Sequence, residues 1–383
     1  FLKTFEYLSI IEVEIFFAYR KSMKIRLTVP LFVLTFYVSL LYSSERAKPK
    51  SLDKIYGEIQ GYIKRFPRLA SIEEIGKSIE ERPIYCVILH DKSVRENVTI
   101  VINFGIHSRE WASQHSGVFL IRQLLKNTRL RRHLQTTKWF IVPVLNPDGY
   151  YHSTTKFSLW RKNRRPLPSS ECTGVDLNRN FPVGWETELS RKEKMCQSDY
   201  SGPKPLSEPE SQILKELLKQ VNYTDAYVDV HACAQSILHP YGYTKKKAPE
   251  YLLKRIIKAA GDMKAAMKKI RGTNYVIESA ADLYVAGGGT DDFAFQEMKV
   301  PIVFTLELGD DVRSSLECFH PSTQKMVLLQ RECLQAMLAL NHFLVRDLPA
   351  EKRKSSNFRA ANHGITIHPL LTIVFSTVLY CIL

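Results

Sequence analysis

Cysteine is scarce in this sequence: seven among 383 residues, too few for a small scaffold that uses disulfides in place of a core. Between about Leu52 and Val345 there is no long linker and no internal repeat, which excludes solenoids and strings of small modules. Nor is the positive charge gathered in one place. The formal net charge is +15, but "RLRRH", "RKNRR", "KKK" and "KAAMKKIRG" lie in different segments. None interleaves basic with aromatic residues as a nucleic-acid surface does. No nucleic acid is expected as a partner. The excess reads as a solvated basic surface, with a patch for polyanions or membrane headgroups as the alternative.

What is present is globular: 45% hydrophobic and 24% charged residues, enough chain for one large α/β core or two small domains. Both ends depart from that composition. Residues 1–22 precede Met23 and are read as lying outside the mature protein. Met23 opens "MKIRLTVPLFVLTFYVSLLYSS", a short basic start, an apolar run and small residues at Ser43 and Ser44. That is a secretory signal peptide over 23–44, or a membrane anchor if it is retained. Residues 346–364 are a polar stalk holding Ser355, Ser356 and Asn357, and 365–383 are the apolar "ITIHPLLTIVFSTVLYCIL". This order is that of a GPI-attachment signal, whose tail is removed; a retained transmembrane tail is the alternative. Either reading places the protein in the secretory pathway and on the extracellular face of a membrane. The cysteines suit an oxidising compartment. Cys172 and Cys196 flank a polar, glycine-containing loop and form the candidate disulfide, with Cys318 and Cys333 as a second pair. Asn97 in "NVT" and Asn222 in "NYT" are candidate N-glycosylation sites.

In between, strands and helices alternate. "SLDKIYGEIQGYIKRFP" has helical apolar spacing with Ser51 as N-cap. "RPIYCVILH", "NVTIVINFG", "KWFIVPVLN", "DAYVDVHA" and "PIVFTLEL" are short, β-branched and nearly continuously apolar, as strands buried on both faces are. Helical patterns separate them: "SQHSGVFLIRQLLKN", "SEPESQILKELLKQV", in which Ser207 and Glu210 suggest a capping box, and "EYLLKRIIKAAGDMKAAMKKI". A doubly wound α/β domain is expected. In such sheets ligands bind outside the carboxyl ends of the strands, and four strands place His107, Asn146, His231 and Glu307 at or near their ends. His107 and Glu110 in "GIHSREW" have an H-x-x-E spacing that can reach one ion. A catalytic zinc takes three protein ligands, His₂Glu among the known sets, so His231 is the candidate third.

"GIHSREWAS", "NPDGY", "WRKNR", "GVDLNRNF", "VDVHACAQ", "PYGY" and "FTLEL" occur in that order. Together they resemble the carboxypeptidase A/B family of zinc metallocarboxypeptidases, over a catalytic domain at 52–345. The resemblance implies a single α/β domain whose mixed, mostly parallel twisted sheet is flanked by helices on both faces. It implies one Zn²⁺ per chain on His107, Glu110 and His231, with Asp176 orienting a ligand imidazole. Asn178 and Arg179 would clamp a substrate's terminal carboxylate, and Arg161 would polarise the scissile carbonyl. Glu307 would be the general base acting on zinc-activated water, Tyr284 would close over the bound residue, and Arg109 would be a secondary substrate contact. The partners implied are peptide or protein C-termini, and the chain is expected to act as a monomer.

Within "YVAGGGTDD", Asp291 falls at the base of the family's specificity pocket, where B-like members carry Asp and A-like members an apolar residue. This implies a preference for C-terminal Lys or Arg. Asp292 is expected to be structural; neighbours in an extended segment face opposite ways. The anchor-like tail resembles carboxypeptidase O, whose members carry a basic residue at the position of Asp291. Three departures concern the rim of the site: Cys233 stands where a subsite tyrosine is usual, Gly309 where an arginine is, and the following "DDVRSSLECFHP" does not match the family's aromatic, glycine-containing loop. The resemblance begins close behind the signal, so an enzyme active without removal of a propeptide is expected. The alternatives are an A-like or O-like preference, or an inactive cell-surface peptide-binding protein.

Overall fold

The computed structural model describes residues 46–94, 97–168, 171–185, 192–310 and 316–347. The upstream segment, the signal peptide, almost all of the stalk with Ser355, Ser356 and Asn357, and the tail with Cys381 lie outside the described residues. Among the described residues no helix is long and apolar enough to cross a membrane.

Helix α1 (Leu52–Arg65) begins as its sequence predicts: Ser51 Oγ accepts from the Lys54 N–H, and Leu52, Ile55, Tyr56 and Ile59 turn inward. The five apolar runs are strands: β2 (Pro83–Leu89), β3 (Val98–Phe104), β4 (Thr137–Val142), β5 (Ala226–Ala232) and β8 (Ile302–Leu308). Three further strands complete one eight-stranded sheet: β1 (Ala70–Lys77), β6 (Ser236–His239) and β7 (Val276–Ser279), in the order β1-β2-β4-β3-β5-β8-β6-β7. The centre, β4-β3-β5-β8, is parallel; β1/β2, β2/β4 and β6/β8 are antiparallel. The added strands escape the apolar pattern for physical reasons. β1 reads "ASIEEIGK" and is only partly covered, while β6 and β7 have four residues each, too short for a periodicity to declare itself.

Helices α2 (Trp111–Lys126), α3 (Pro147–Thr155), α4 (Pro209–Gln220), α5 (Glu250–Arg271) and α6 (Thr323–Asp347) accompany the sheet. α6 runs two residues into the segment read as a stalk and buries Leu329, Cys333, Met337 and Leu340. The capping box at α4 does not form. Its N-cap is Glu208, the Ser207 hydroxyl donates to Glu208 Oε1 (2.7 Å), and Glu210 is buried. Glu208 instead takes the guanidinium of Arg165 (2.6 Å) and the amide of Asn163 (2.7 Å). An ion pair with tertiary reach has displaced a local cap.

Candidate metal centre

His107 and Glu110 stand on the turn from β3 into α2, and His231 is the sixth residue of β5. β3 and β5 are paired and parallel, so their carboxyl ends present all three side chains on one edge. Nδ1 of His107 lies 2.9 Å from Glu110 Oε1, Nδ1 of His231 lies 3.0 Å from Glu110 Oε2, and the two Nδ1 atoms are 3.1 Å apart. All three side chains are buried, and their candidate donor atoms lie within 4.8 Å of one another. Two imidazole lone pairs and a carboxylate converging on one point repel unless a cation sits between them. This donor set suits zinc, and the buried His–Glu–His group fits the ion. Glu110 also serves as the N-cap position of α2 without capping it; its Oε2 accepts the Ala232 N–H (3.1 Å) instead.

The outer nitrogens are held by acids. Nε2 of His107 lies 3.1 Å from Asp176 Oδ1, while Asp176 Oδ2 accepts from Arg161 Nε (3.0 Å). Nε2 of His231 lies 3.1 Å from Asp229 Oδ2. Carboxylate–imidazole contacts of this kind fix ring orientation at metal sites. Asp229 was missed from sequence, although its signal was there: in "DVH" on a strand, Asp and His two apart share a face. Burial opposes ionisation of Asp176, but Arg161 and then His107 outweigh it and hold its carboxyl well below the usual range. Burial likewise opposes the charge on Glu110, and the two imidazoles hold it below its ordinary value.

Glu307 lies opposite His231 in the β5–β8 register. Burial, with Glu110 adding to it, pushes its carboxyl up to about 7. The Arg179 guanidinium donates to the Tyr284 hydroxyl (3.0 Å) and to the Asn178 carbonyl (2.8 Å). Asn178 Oδ1 accepts the Thr290 N–H (2.9 Å), which brings the glycine run beside the arginine. The run is a packing requirement. A Cβ on Gly288, at φ +77°, would lie 2.2 Å from the Arg179 carbonyl oxygen, and one on Gly287 would lie 1.7 Å from that of Gly184. Arg109 lies over the Phe319 ring, 4.3 Å from its centroid.

Asp291 and Asp292 sit on a helical turn, Thr290–Asp292, not on an extended segment, so alternation does not separate them. They part all the same. Asp292 accepts from the Gly242 N–H (3.0 Å) and the Tyr243 N–H (2.8 Å). Asp291 is buried without a Lys or Arg partner among the described residues. Burial raises both carboxyls, and Asp291 helps push Asp292 to about 8.

Some expectations fall elsewhere. Asn146 is spent on structure: its side chain caps α3 by accepting the Gly149 N–H and donates to the carbonyls of Ile106 and Lys162. Cys172–Cys196 is a disulfide with Cα atoms 5.1 Å apart. The second is Cys233–Cys318, Cα atoms 5.8 Å apart, and not Cys318–Cys333. Cys333 is a free thiol on the inward face of α6, while Cys318 packs against the end of β5. Gly309 belongs to the same feature: its φ is +125° and a Cβ there would lie 3.0 Å from the Cys233 Cβ. An arginine from elsewhere serves the segment. Arg271 donates to the Gly309 carbonyl (2.8 Å) and to Asp310 (2.7 Å). Asn97 and Asn222 are exposed.

A sequence profile described as zinc carboxypeptidase matches residues 55–336. The chain is 31% identical over 264 residues to Carboxypeptidase A4 of Mus musculus, covering 68% of this chain and 62% of that protein. It is 30% identical over 305 residues to Carboxypeptidase O of Bos taurus, covering 78% of each. It superposes with a TM-score of 0.71 and 29% identity on bovine thrombin-activatable fibrinolysis inhibitor, solved in complex with a tick carboxypeptidase inhibitor, covering 78% of this chain and 98% of that one.

Proposed function

Because the chain belongs to the zinc carboxypeptidase family, we propose that it is a zinc-dependent carboxypeptidase that hydrolyses the last peptide bond of peptides and proteins and prefers a terminal Lys or Arg. The buried convergence of His107, Glu110 and His231 carries the reading. These three residues hold the ion, which when bound supplies Lewis acidity to the carbonyl and activates water.

The remaining residues then have separate tasks. Arg179, beside Asn178, offers a planar fork suited to a terminal carboxylate, and Tyr284 already bonds to it as a side chain closing over the bound residue would. Arg161, oriented by Asp176, places fixed positive charge where the carbonyl oxygen becomes negative. Glu307, opposite His231 in the β5–β8 register, accepts a proton from the attacking water and delivers it to the leaving amine. Arg109 contacts the substrate further from the cut.

The preference rests on Asp291. An acid buried beside Gly289 and Asn178 with no Lys or Arg partner among the described residues is costly. A substrate's ammonium or guanidinium removes that cost. The O-like alternative is favoured by the likeness to Carboxypeptidase O, but an acid at Asp291 repels an acidic terminus. Secretion and display at the cell surface through a lipid anchor, with glycans at Asn97 and Asn222, agree with two disulfides and two exposed sequons.

The test is release of the last residue from peptides ending in Arg, Phe and Glu, with and without a zinc chelator. Chelator-sensitive release, fastest for Arg, is expected. No chelator-sensitive release from any of them refutes the enzyme; preference for Phe refutes the specificity alone.

A further inference from the structure

The two imidazoles of the metal centre are braced unequally. The acid behind His107, Asp176, shares its charge with the Arg161 guanidinium, 2.9 Å from Oδ2. The acid behind His231 has no such partner. Asp229 is fully buried, and its hydrogen-bond donors are neutral: Asn103 Nδ2 to Oδ1 (2.8 Å) and Thr290 Oγ1 to Oδ2 (2.6 Å). No Lys or Arg pairs with it among the described residues. The basic group in contact is Nε2 of His231, 3.1 Å away but off the line of an ideal hydrogen bond. A buried carboxylate without a Lys or Arg partner is expensive, so its placement beside His231 calls for a function.

We propose that Asp229 is a positioning residue that orients His231 as a metal ligand and ties that ligand, through Thr290, to the turn carrying Asp291. The inference rests on His107, Glu110 and His231 being the metal centre. The hydrogen-bond polarity around Asp229 explains why a carboxylate is required. Asn103 and Thr290 both point donors at it, and a ring whose Nδ1 faces an ion must present Nε2 as a donor too. Three donors need an acceptor-only side chain. Asparagine has the same shape, but its amide must face either the imidazole or the Asn103 amide, donor against donor. Facing the imidazole, it favours the tautomer whose Nδ1 carries the proton and cannot bind metal.

The experiment compares the full chain with Asp229→Asn and Thr290→Val. It measures zinc affinity by competition with a chromophoric chelator, the visible spectrum of the cobalt-substituted protein, and melting of the metal-free protein. Asp229→Asn is expected to bind zinc about 10–100-fold more weakly, with a shifted cobalt spectrum and unchanged metal-free melting. Thr290→Val leaves His231 its acid, so zinc affinity should stay within about threefold, the larger loss being expected only where the imidazole loses its own acceptor. Its selectivity between Arg- and Phe-ending peptides should shift. Unchanged zinc affinity in Asp229→Asn overturns the proposal, as does a loss matched by an equal fall in metal-free stability. Wild-type protein that binds no zinc overturns the metal centre itself. Should Asp229→Asn not fold, Asp229→Ala, which removes the acceptor altogether, gives the same comparison of zinc affinity against metal-free melting.

Discussion

The two halves of the site differ in who satisfies their charges. Around His107 and His231 each acid faces a basic group of the protein: Glu110 between two imidazoles, Asp176 on His107 and Arg161, Asp229 on His231. In the other half, Asp291 is buried without a Lys or Arg partner among the described residues, and burial pushes Glu307, opposite His231 in the strand register, up to about 7. The first half is braced by the protein's own groups and lacks only the ion. Under the proposed function the second is completed by the substrate, because charge already spent within the protein cannot be spent again on a ligand.

The sharpest break in that contrast is Glu307→Gln, which keeps the shape and removes the base. kcat should fall by about 10²–10⁴-fold, with zinc content unchanged by atomic absorption. Next comes Asp291→Arg. Reversing the pocket charge should shift the relative kcat/KM of Arg- and Glu-ending peptides by roughly 2–5 kcal/mol toward the acidic end; a variant still preferring Arg would erase the distinction between the halves. A smaller effect tests the completed half. Asp176→Asn should weaken zinc by about 10–100-fold in a chelator titration.

The smallest is a pH effect. Asp292, raised to about 8 by burial and by Asp291, keeps in the native state a proton that the unfolded chain releases near its ordinary value. Its contribution to stability is therefore full below about pH 4 and is lost as pH rises toward 8. Asp291→Asn removes the second cause, so unfolding free energy, from denaturant titrations, should decline less steeply from pH 5 to 8, a difference on the order of 1 kcal/mol.

Much of this site was legible because its parts are short and local. H-x-x-E after a strand, His at the end of an apolar run and Asn-Arg within "GVDLNRN" occupy fixed places relative to backbone elements. The central parallel strands were legible for the same reason: burial on both faces leaves nearly unbroken apolar runs. What escaped depends on long-range pairing. Nothing local in "ASIEEIGK" tells of its seven-residue register against β2, and nothing near Cys318 points to a partner 85 residues away. Ser207 and Glu210 show the converse, a sound local motif not formed where the helix begins after Glu208 and Arg165 pairs with that residue.

One consequence concerns anyone who would rebuild the rim of this site by exchanging loops with a relative. Cys233, Cys318 and Gly309 are three separate letters in the sequence but a single mechanical part, since a Cβ at 309 would press on Cys233 Cβ at 3.0 Å from a backbone at φ +125°. A graft that puts an aromatic residue at 233 strands the thiol of Cys318; one that puts an arginine at 309 strains the backbone there and crowds Cys233. The three positions have to travel together, and Arg271, which meanwhile holds the Gly309 carbonyl and Asp310, has to be released with them.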